Sequence, residues 1–197
     1  LLSYLAYWLK KEDKYSLHSP QVFNTYQNLF GFINARTKAD LEIEAFRKHL
    51  LSSDELIDVE DFGAGSKSVN TAKRPVADIT KYSASTRKYA QLYQFFCTLT
   101  PSEIVLELGT CVGISSRYLS KVALGKLYTF EGSKEIARVA NLSKGFDNVT
   151  VVVGKLSETL PITLDSLDKV DFAFIDATHT YGGTVGYFEQ ILRKTHP

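Results

Sequence analysis

The sequence predicts an α/β protein whose second half is a parallel β-sheet covered by helices, with a mostly helical extension before it. Two observations lead to this prediction. After Pro101, short apolar runs rich in β-branched residues alternate with stretches of helical periodicity, and each run is apolar nearly throughout, as expected for strands buried on both faces. Before Pro101, apolar residues recur mainly at helical spacing, which indicates helices rather than strands.

The first half is divided into helices by loop-forming residues. Helical spacing predicts helices over residues 1–10, 20–30, 39–51 and 87–99. Alternation of apolar and polar residues, the pattern of a strand, is found only in LIDVEDF, which begins at Leu56. Residues 61–84 contain the turn DFGAGS and the helix-breaking Pro75 but no apolar stripe, so they are predicted to form a flexible lid loop.

Four strand-helix units follow one another after Pro101. The strands are EIVLEL, KLYTFE, VTVVVG and VDFAFID, and the helices after them cover residues 114–123, 133–144, 155–167 and 184–194. Units of this kind predict a doubly wound, Rossmann-like parallel sheet over residues 87–197, after an extension over residues 1–86. The chain stops at RKTHP, where the next strand is due, so we expect the sheet to lack its last strands and the natural protein to continue with them.

Charge and composition limit the classes of partner. A net charge of +1, with charged residues well interspersed, provides no basic field for nucleic acid. The apolar N-terminal run LLSYLAYWL is too short to span a bilayer, so no membrane partner is expected. Cys97 and Cys111 lack the spacing of a disulfide framework or a zinc site, which favours a reducing, cytoplasmic location. We therefore expect a small-molecule partner, and a homodimer is compatible with the sequence.

The turn after the first of these strands, GTCVG, is a candidate ligand site. In an open α/β sheet the ligand lies beyond the carboxyl ends of the strands, where Gly109 and Gly113 would let the backbone approach it closely. A dinucleotide fingerprint needs further glycines where this chain has Cys111 and Ile114, and the Lys-Ser/Thr of a P-loop is missing. The pattern favours a ligand that has an adenosine end but no phosphates.

Glu131 ends the second strand of the predicted sheet. A carboxylate at this position can accept hydrogen bonds from both hydroxyls of a ribose, a geometry used by dinucleotide and adenosylmethionine enzymes alike. Glu131 therefore indicates a ribose, and the preceding turn argues against a pyrophosphate.

Together these segments resemble the class I S-adenosylmethionine (SAM)-dependent methyltransferases, in particular the O-methyltransferase branch similar to catechol and caffeoyl-CoA O-methyltransferases. The matching motifs are VLELGTCVGISS, YTFEGS, VVVGKLSETLP and VDFAFIDATHTYGGTVGYFEQIL, in the family's order and at its intervals, within residues 87–197. The resemblance implies an enzyme that transfers a methyl group from SAM to a small-molecule acceptor, most often to oxygen.

The resemblance also implies which residues hold the cofactor. The methionine end would be surrounded by Glu107 and the turn, the ribose by the YTFEGS strand end, and the adenine by the turn after the third strand. Relatives often have an acidic residue where this chain has Lys155, so a backbone carbonyl or Ser157 would accept from the adenine instead. The implied cofactor residues are Glu107, Gly109, Thr110, Cys111, Gly113, Glu131, Gly132, Gly154, Lys155, Leu156 and Asp176.

Asp176 and His179 follow the fourth strand and are the candidate catalytic residues. Methyl transfer to a hydroxyl requires that the acceptor be oriented and lose its proton, and a histidine can take that proton near neutral pH. In metal-dependent relatives an aspartate at this strand end binds a divalent cation and a lysine three residues later serves as base; here His179 holds that second place. The further oxygen ligands that such a cation needs are not visible in this sequence, so no metal residues are assigned.

Two other classes of protein remain open at this point. One is another adenosyl-nucleotide enzyme, such as an NAD-dependent dehydrogenase or an aminopropyltransferase. The other is a non-catalytic module that keeps the cofactor fold without an acceptor site. For the two catalytic candidates, the structural alternatives are a helix cap for Asp176 and a loop hydrogen bond for His179.

Overall fold

In the computed structural model, the residues described are 3–5, 7, 18–36, 38–60, 73–142 and 145–195. The chain divides into two compact units, residues 1–39 and 40–197. In the first unit, helix α1 spans Pro20–Ala35, and the Ser19 hydroxyl caps its start by accepting from the amide of Val22. The helix predicted over residues 1–10 lies largely outside the described residues. None of the described helices is long and apolar enough to cross a membrane.

The second unit begins with three helices and a small hairpin. Helix α2 spans Leu41–Leu51, strands β1 (Leu56–Asp58) and β2 (Lys73–Pro75) pair antiparallel, and helices α3 (Val76–Ser83) and α4 (Arg87–Cys97) follow. The interpretation of residues 61–84 as a flexible loop is wrong for residues 73–83, which form β2 and α3; residues 61–72 lie outside the described part. Pro75 does not break a helix because it immediately precedes α3, with extended backbone.

A four-stranded parallel sheet confirms the predicted fold class. The strands are β3 (Ile104–Leu108), β4 (Lys126–Glu131), β5 (Val149–Val153) and β6 (Phe172–Ile175), in the order β5-β4-β3-β6. Helices α5 (Ile114–Ser120), α6 (Lys134–Ala140) and α7 (Leu156–Asp165) connect them, and α8 (Tyr181–Leu192) follows β6. All three pairings are parallel, so the carboxyl ends of the strands meet at one edge of the sheet.

Helices cover both faces of this sheet, as the nearly continuous apolar strands require. Leu106 and Leu108 of β3 pack with Leu160 of α7 and Ile191 of α8. On the opposite face, Val105 packs with residues of α4 and α5. Because side chains alternate between the faces of a strand, Glu107 shares the face of Val105 and points beneath α5.

The described residues between 40 and 86, which are 40–60 and 73–86, pack over the turn between β3 and α5. Its apolar residues, among them Ile43, Val76 and Ile79, form one buried cluster with Val112 and Tyr118. The sequence places the boundary of the helical extension at residue 86, whereas this cluster joins residues 40–86 to the same compact unit as the sheet. The turn after β3 is therefore covered by protein from the first half of the chain.

Candidate functional site

Gly109 follows β3 and has a φ of +107°, which disfavours every residue with a side chain. A Cβ atom here would lie 2.3 Å from the carbonyl oxygen of Asp176, which follows the neighbouring strand β6. The amide of Asp176 in turn donates to the carbonyl of Leu108 at 2.9 Å. Gly109 is thus required by the contact between the ends of β3 and β6, a reason that the sequence does not reveal.

Gly113 is explained by packing rather than by a ligand. It precedes α5 with a φ of +74°, and a Cβ atom would lie 3.0 Å from the Cβ of Ala140 at the end of α6 and 3.3 Å from the Leu142 side chain. The sequence predicts close approach of a ligand to this glycine, but Gly113 does not line the cavity described below.

The amides of the turn are largely engaged by the protein itself. The bonds are Gly109 to the Phe130 carbonyl at 3.0 Å, Thr110 to the same carbonyl at 2.9 Å, Cys111 to Glu131 Oε2 at 2.9 Å, and Gly113 to the Thr110 carbonyl at 2.9 Å. A pyrophosphate-binding turn needs such amides free for phosphate oxygens. Their use here adds a structural argument against a dinucleotide to the missing glycines.

Glu131 holds the turn and keeps capacity for a ligand. Its Oε2 accepts from the amide of Cys111 and its Oε1 from the amide of Ser133, both at 2.9 Å. Burial raises the pKa of the Glu131 carboxyl, and the backbone amides of Ser133, Cys111 and Gly132 act against that rise. Since a carboxylate has about four acceptor positions, the backbone amides do not use all of them, and acceptor capacity is left for a ribose hydroxyl.

Glu107 lies beneath the turn and is fully buried, without lining the cavity. Its Oε2 accepts from the hydroxyls of Thr129, at 2.6 Å, and of Ser116. Its Oε1 has no hydrogen-bond partner at normal distance among the residues that the structure describes. Burial raises the pKa of Glu107 to about 7, although the hydroxyls of Ser115, Ser116 and Thr129 favour the charged form.

Cys111 is the middle residue of the turn and takes a left-handed conformation, with a φ of +49°. Burial raises the pKa of its thiol to about 12, and the negative charge of Glu131 adds to the effect. A thiol of this kind stays protonated at neutral pH and is a poor nucleophile. The structure thus agrees with the interpretation of Cys111 as a small residue packed in the turn.

Asp176 and His179 lie together after β6. His179 Nε2 is 4.0 Å from Asp176 Oδ1, and the two side chains are 70% and 44% exposed. Thr178 and His179 both have positive φ, +66° and +48°, and a β-branched residue in this region is strained. Such strain is often found in active sites, and here it turns the imidazole back towards the end of the strand.

Gly154, Lys155 and Leu156 form the turn between β5 and α7. Gly154 has a φ of +138°, and its amide donates to the carbonyl of Glu131 at 2.9 Å. This bond places the predicted adenine side next to the predicted ribose acid. Lys155 is the N-cap residue of α7, and its side chain does not cap the helix.

One cavity of about 860 Å³ joins these residues at the carboxyl edge of the sheet. Its volume lies within the range of about 300–1,000 Å³ typical of small-molecule sites. All the predicted site residues line it except Glu107 and Gly113: Gly109, Thr110, Cys111, Glu131, Gly132, Gly154, Lys155, Leu156, Asp176 and His179. Within the described ranges, no three side chains of His, Cys, Asp or Glu lie where they could hold a metal ion.

Comparison with known proteins identifies the part of the chain that forms this edge. Residues 106–197 match the family model of the methyltransferase domain. This part of the chain is therefore similar to methyltransferase domains. No curated protein matches the chain.

Two solved O-methyltransferase structures are similar to this chain. The O-methyltransferase TomG from Streptomyces achromogenes, involved in tomaymycin synthesis and in complex with SAM, is 28% identical with a TM-score of 0.52; the match covers 58% of this chain and 53% of TomG. An O-methyltransferase from Bacillus cereus in complex with SAH is 25% identical with a TM-score of 0.51, over 57% of this chain and 54% of that one. This chain thus spans about half the length of these relatives.

A third structure extends the likeness to most of the chain. Cofactor-bound Rv0187 from MTB has a TM-score of 0.57 at 23% identity, over 85% of this chain and 67% of that one, which shows a shared fold. The class I methyltransferase resemblance inferred from the sequence is confirmed, and the relatives named above at 28% and 25% identity are O-methyltransferases.

Residues 106–197 do not line the cavity alone. The first half of the chain contributes a wall that includes Val59, Arg74, Ile79 and Tyr82. No motif in the sequence marks these residues, because they reach the cavity through the packing of the hairpin and α3. The buried hydroxyls of Thr129 and Ser116 were also not predicted to belong to the site, although both residues lie in the quoted motifs.

Proposed function

We propose that the chain is a SAM-dependent methyltransferase that methylates a hydroxyl group of a small-molecule acceptor. The observation that supports this most is the Glu131 carboxylate, which holds the glycine turn, lines the cavity and keeps acceptor capacity for a ligand hydroxyl. A ribose provides such a hydroxyl. The complexes of TomG with SAM and of the Bacillus cereus O-methyltransferase with SAH support the choice of cofactor and of oxygen as acceptor.

The residues around the cavity fit SAM better than a dinucleotide. In this proposal Glu131 and Gly132 hold the ribose, the turn between β5 and α7 borders the adenine, and Gly109 to Cys111 border the methionine end. When bound, SAM supplies a reactive methyl group on a positively charged sulfur. An NAD-dependent dehydrogenase is disfavoured because the turn's amides are engaged within the protein.

His179 takes the proton of the acceptor hydroxyl in this proposal. Its imidazole lines the cavity at the strand end next to the glycine turn. Among the described residues, Asp176 is its ion-pair partner. After the proton has moved, the carboxylate of Asp176 at 4.0 Å favours the imidazolium by charge. No step is assigned to a metal, because the described residues do not form a set of ligands for one.

A reducing, cytoplasmic location and a homodimer stay predictions from the sequence. Both cysteines, Cys97 and Cys111, are free thiols, which suits a reducing compartment.

Titration calorimetry with SAM, SAH and NAD in parallel tests the proposed function. Binding of SAM and SAH without NAD is expected, and binding of NAD alone would overturn the proposal.

Replacing Glu131 with alanine should raise the Kd of SAM by about 30- to 1,000-fold, which corresponds to about 2–4 kcal/mol for the loss of charge-assisted hydrogen bonds. The effect has two sources, because the variant loses the ribose acceptor and also frees the amides of Cys111 and Ser133. Calorimetry measures the Kd, and circular dichroism checks that the fold survives.

Glu135→Ala is the matched control for this change. Glu135 lies on the next helix, is about half exposed, and pairs with Arg138, which keeps its second partner Glu55. Its loss should leave the Kd of SAM within about twofold, since an exposed pair contributes little. An unchanged Kd in Glu131→Ala would mean that the ribose is bound elsewhere.

A further inference from the structure

A chain of hydroxyl groups connects the buried carboxyl of Glu107 with the cavity. Thr129 donates to Glu107 Oε2 at 2.6 Å, and the hydroxyls of Thr110 and Thr129 are 2.6 Å apart. While Glu107 is a carboxylate, the single proton of the Thr129 hydroxyl goes to it, and Thr110 therefore donates to Thr129. Thr110 itself lines the cavity. The carboxyl is therefore two hydroxyls away from the ligand site, and each hydroxyl is oriented by the next.

No positive charge balances Glu107 within the described part of the chain. Burial and the negative charge of Asp176 across the sheet edge raise the pKa of Glu107, and the hydroxyls of Ser115, Ser116 and Thr129 lower it. Glu107 acts in turn on the thiol of Cys111 in the turn, beside Glu131. Charges at the cavity wall are thus felt at Glu107 although its side chain does not reach the cavity.

A fully buried carboxylate without a countercharge is costly, and a carboxyl in this situation prefers to hold a proton. The same carboxyl becomes a favourable anion as soon as a cation lies nearby. SAM is such a cation, since its sulfonium gives it one positive charge more than its product SAH. The cost of ionising Glu107 therefore depends on which of the two occupies the cavity.

We propose that Glu107 is a proton switch, which holds a proton while the cavity lacks a cation and releases it to the solvent when SAM binds. The inference rests on the proposed function, since it takes SAM as the ligand. One proton leaves the Glu107 carboxyl, a carboxylate remains, and the hydroxyl of Thr129 donates to it. After methyl transfer the sulfonium charge is gone and the carboxyl regains its proton, so the ionisation of Glu107 contributes in favour of SAM over SAH.

The expected proton count follows from the titration of Glu107 in the free protein. Burial raises the pKa of Glu107 to about 7, so the carboxyl of the free protein is partly protonated near neutral pH, and the cation of SAM lowers the pKa in the complex. Binding of SAM near pH 7 should therefore release a fraction of a proton, and binding of SAH less. Because SAM prefers the carboxylate form, the ratio of the Kd of SAH to that of SAM should rise between pH 6 and 8, by about fivefold or more.

Calorimetric titrations of the whole chain in buffers of different ionisation enthalpy measure both quantities. The amino group that SAM and SAH share titrates near pH 8, at about the value of a free α-amino group, and Glu131 faces the ribose of both. Asp176 and His179 also face the cavity. The comparison of SAM with SAH cancels the contributions that are common to both ligands and retains the response to the sulfonium charge.

Glu107→Gln isolates the switch. The amide oxygen of glutamine can accept from Thr129 and Ser116 as the carboxylate does, but the side chain cannot ionise. The variant should bind SAM with the excess proton release over SAH abolished, and with a ratio of the two Kd values that no longer changes between pH 6 and 8. Thr129→Val should keep the pH response but move it to higher pH. The variant loses a hydrogen bond donated to the carboxylate, and this loss favours the protonated form of Glu107.

Asp171→Asn is the matched control. Asp171 accepts from the amides of Glu103 and Ile104 at 2.9 Å, at the opposite end of β3, and its replacement should leave the proton count unchanged. Binding of SAM by the wild-type protein with the same proton count as SAH would overturn the inference while leaving the proposed function intact. An excess release retained in Glu107→Gln would also overturn it, and no binding of SAM at all would overturn both.

Discussion

Replacing His179 with asparagine should lower the turnover of methyl transfer by about 10²- to 10⁴-fold, the range expected for loss of a general base. The Kd of SAM should stay within about twofold, since His179 follows β6 and the ribose acid ends β4. Asparagine is chosen because His179 has a φ of +48°, a conformation that asparagine tolerates better than alanine. The variant thus removes the proton acceptor without adding backbone strain.

Transfer of a labelled methyl group at saturating SAM across pH measures this effect, once an acceptor is found. SAM is kept at saturation because Glu107 is expected to change the affinity for SAM and not the turnover of the bound complex. The pH profile of the variant should differ from that of the wild-type protein, because the proposed proton acceptor is gone. His49→Asn, on the exposed surface of α2, is the control and should retain full turnover. Full activity with an unaltered pH profile in His179→Asn would leave Asp176 as the candidate base.

Replacing Gly109 with alanine should destabilise the fold by about 3 kcal/mol and abolish SAM binding. The added Cβ would lie 2.3 Å from a backbone oxygen of Asp176, and a clash with backbone cannot be relieved by rotating a side chain. The ends of β3 and β6 would have to separate. Because the turn at the cavity wall starts at Gly109, the groups that face the cofactor would move with it.

Urea unfolding measures the loss of stability, and calorimetry measures the loss of binding. Gly186→Ala in α8 is the matched control, because a Cβ there meets no atom within 4 Å. Alanine in a helix should raise the free energy of unfolding by about 0.5–1 kcal/mol relative to glycine. Equal stability of Gly109→Ala and the wild-type protein would mean that the strand ends are not in contact as the structure shows.

Much of the fold could be predicted because buried parallel strands leave a local pattern. The run KLYTFE predicts residues 126–131, and β4 has those bounds. The other three strands of the sheet agree with their apolar runs to within two residues at each end. Since parallel strands end at one edge, residues such as Glu131 and Asp176 could also be placed together without a structure, and they line one cavity.

The first half of the chain shows where local pattern stops being sufficient. Strand β2 has no apolar alternation of its own and exists because Lys73–Pro75 pairs with Leu56–Asp58, across a long separation in sequence. Helix α3 buries Val76 and Ile79 against the glycine turn, a contact that its short and mixed sequence does not announce. Neither element could be predicted, because both depend on partners distant along the chain.

The sequence by itself determined the parallel sheet, the turn after β3 and the carboxylate that ends β4, because each has a local signature in hydrophobicity, glycine spacing or charge. Only the tertiary structure decided why Gly109 and Gly113 are glycines, since their neighbours Asp176 and Ala140 come from other elements. It also placed Glu107 beneath the cavity and not in its wall, with a buried carboxyl whose charge depends on what surrounds it. Packing sets that surrounding, and packing brings together residues that the sequence keeps apart.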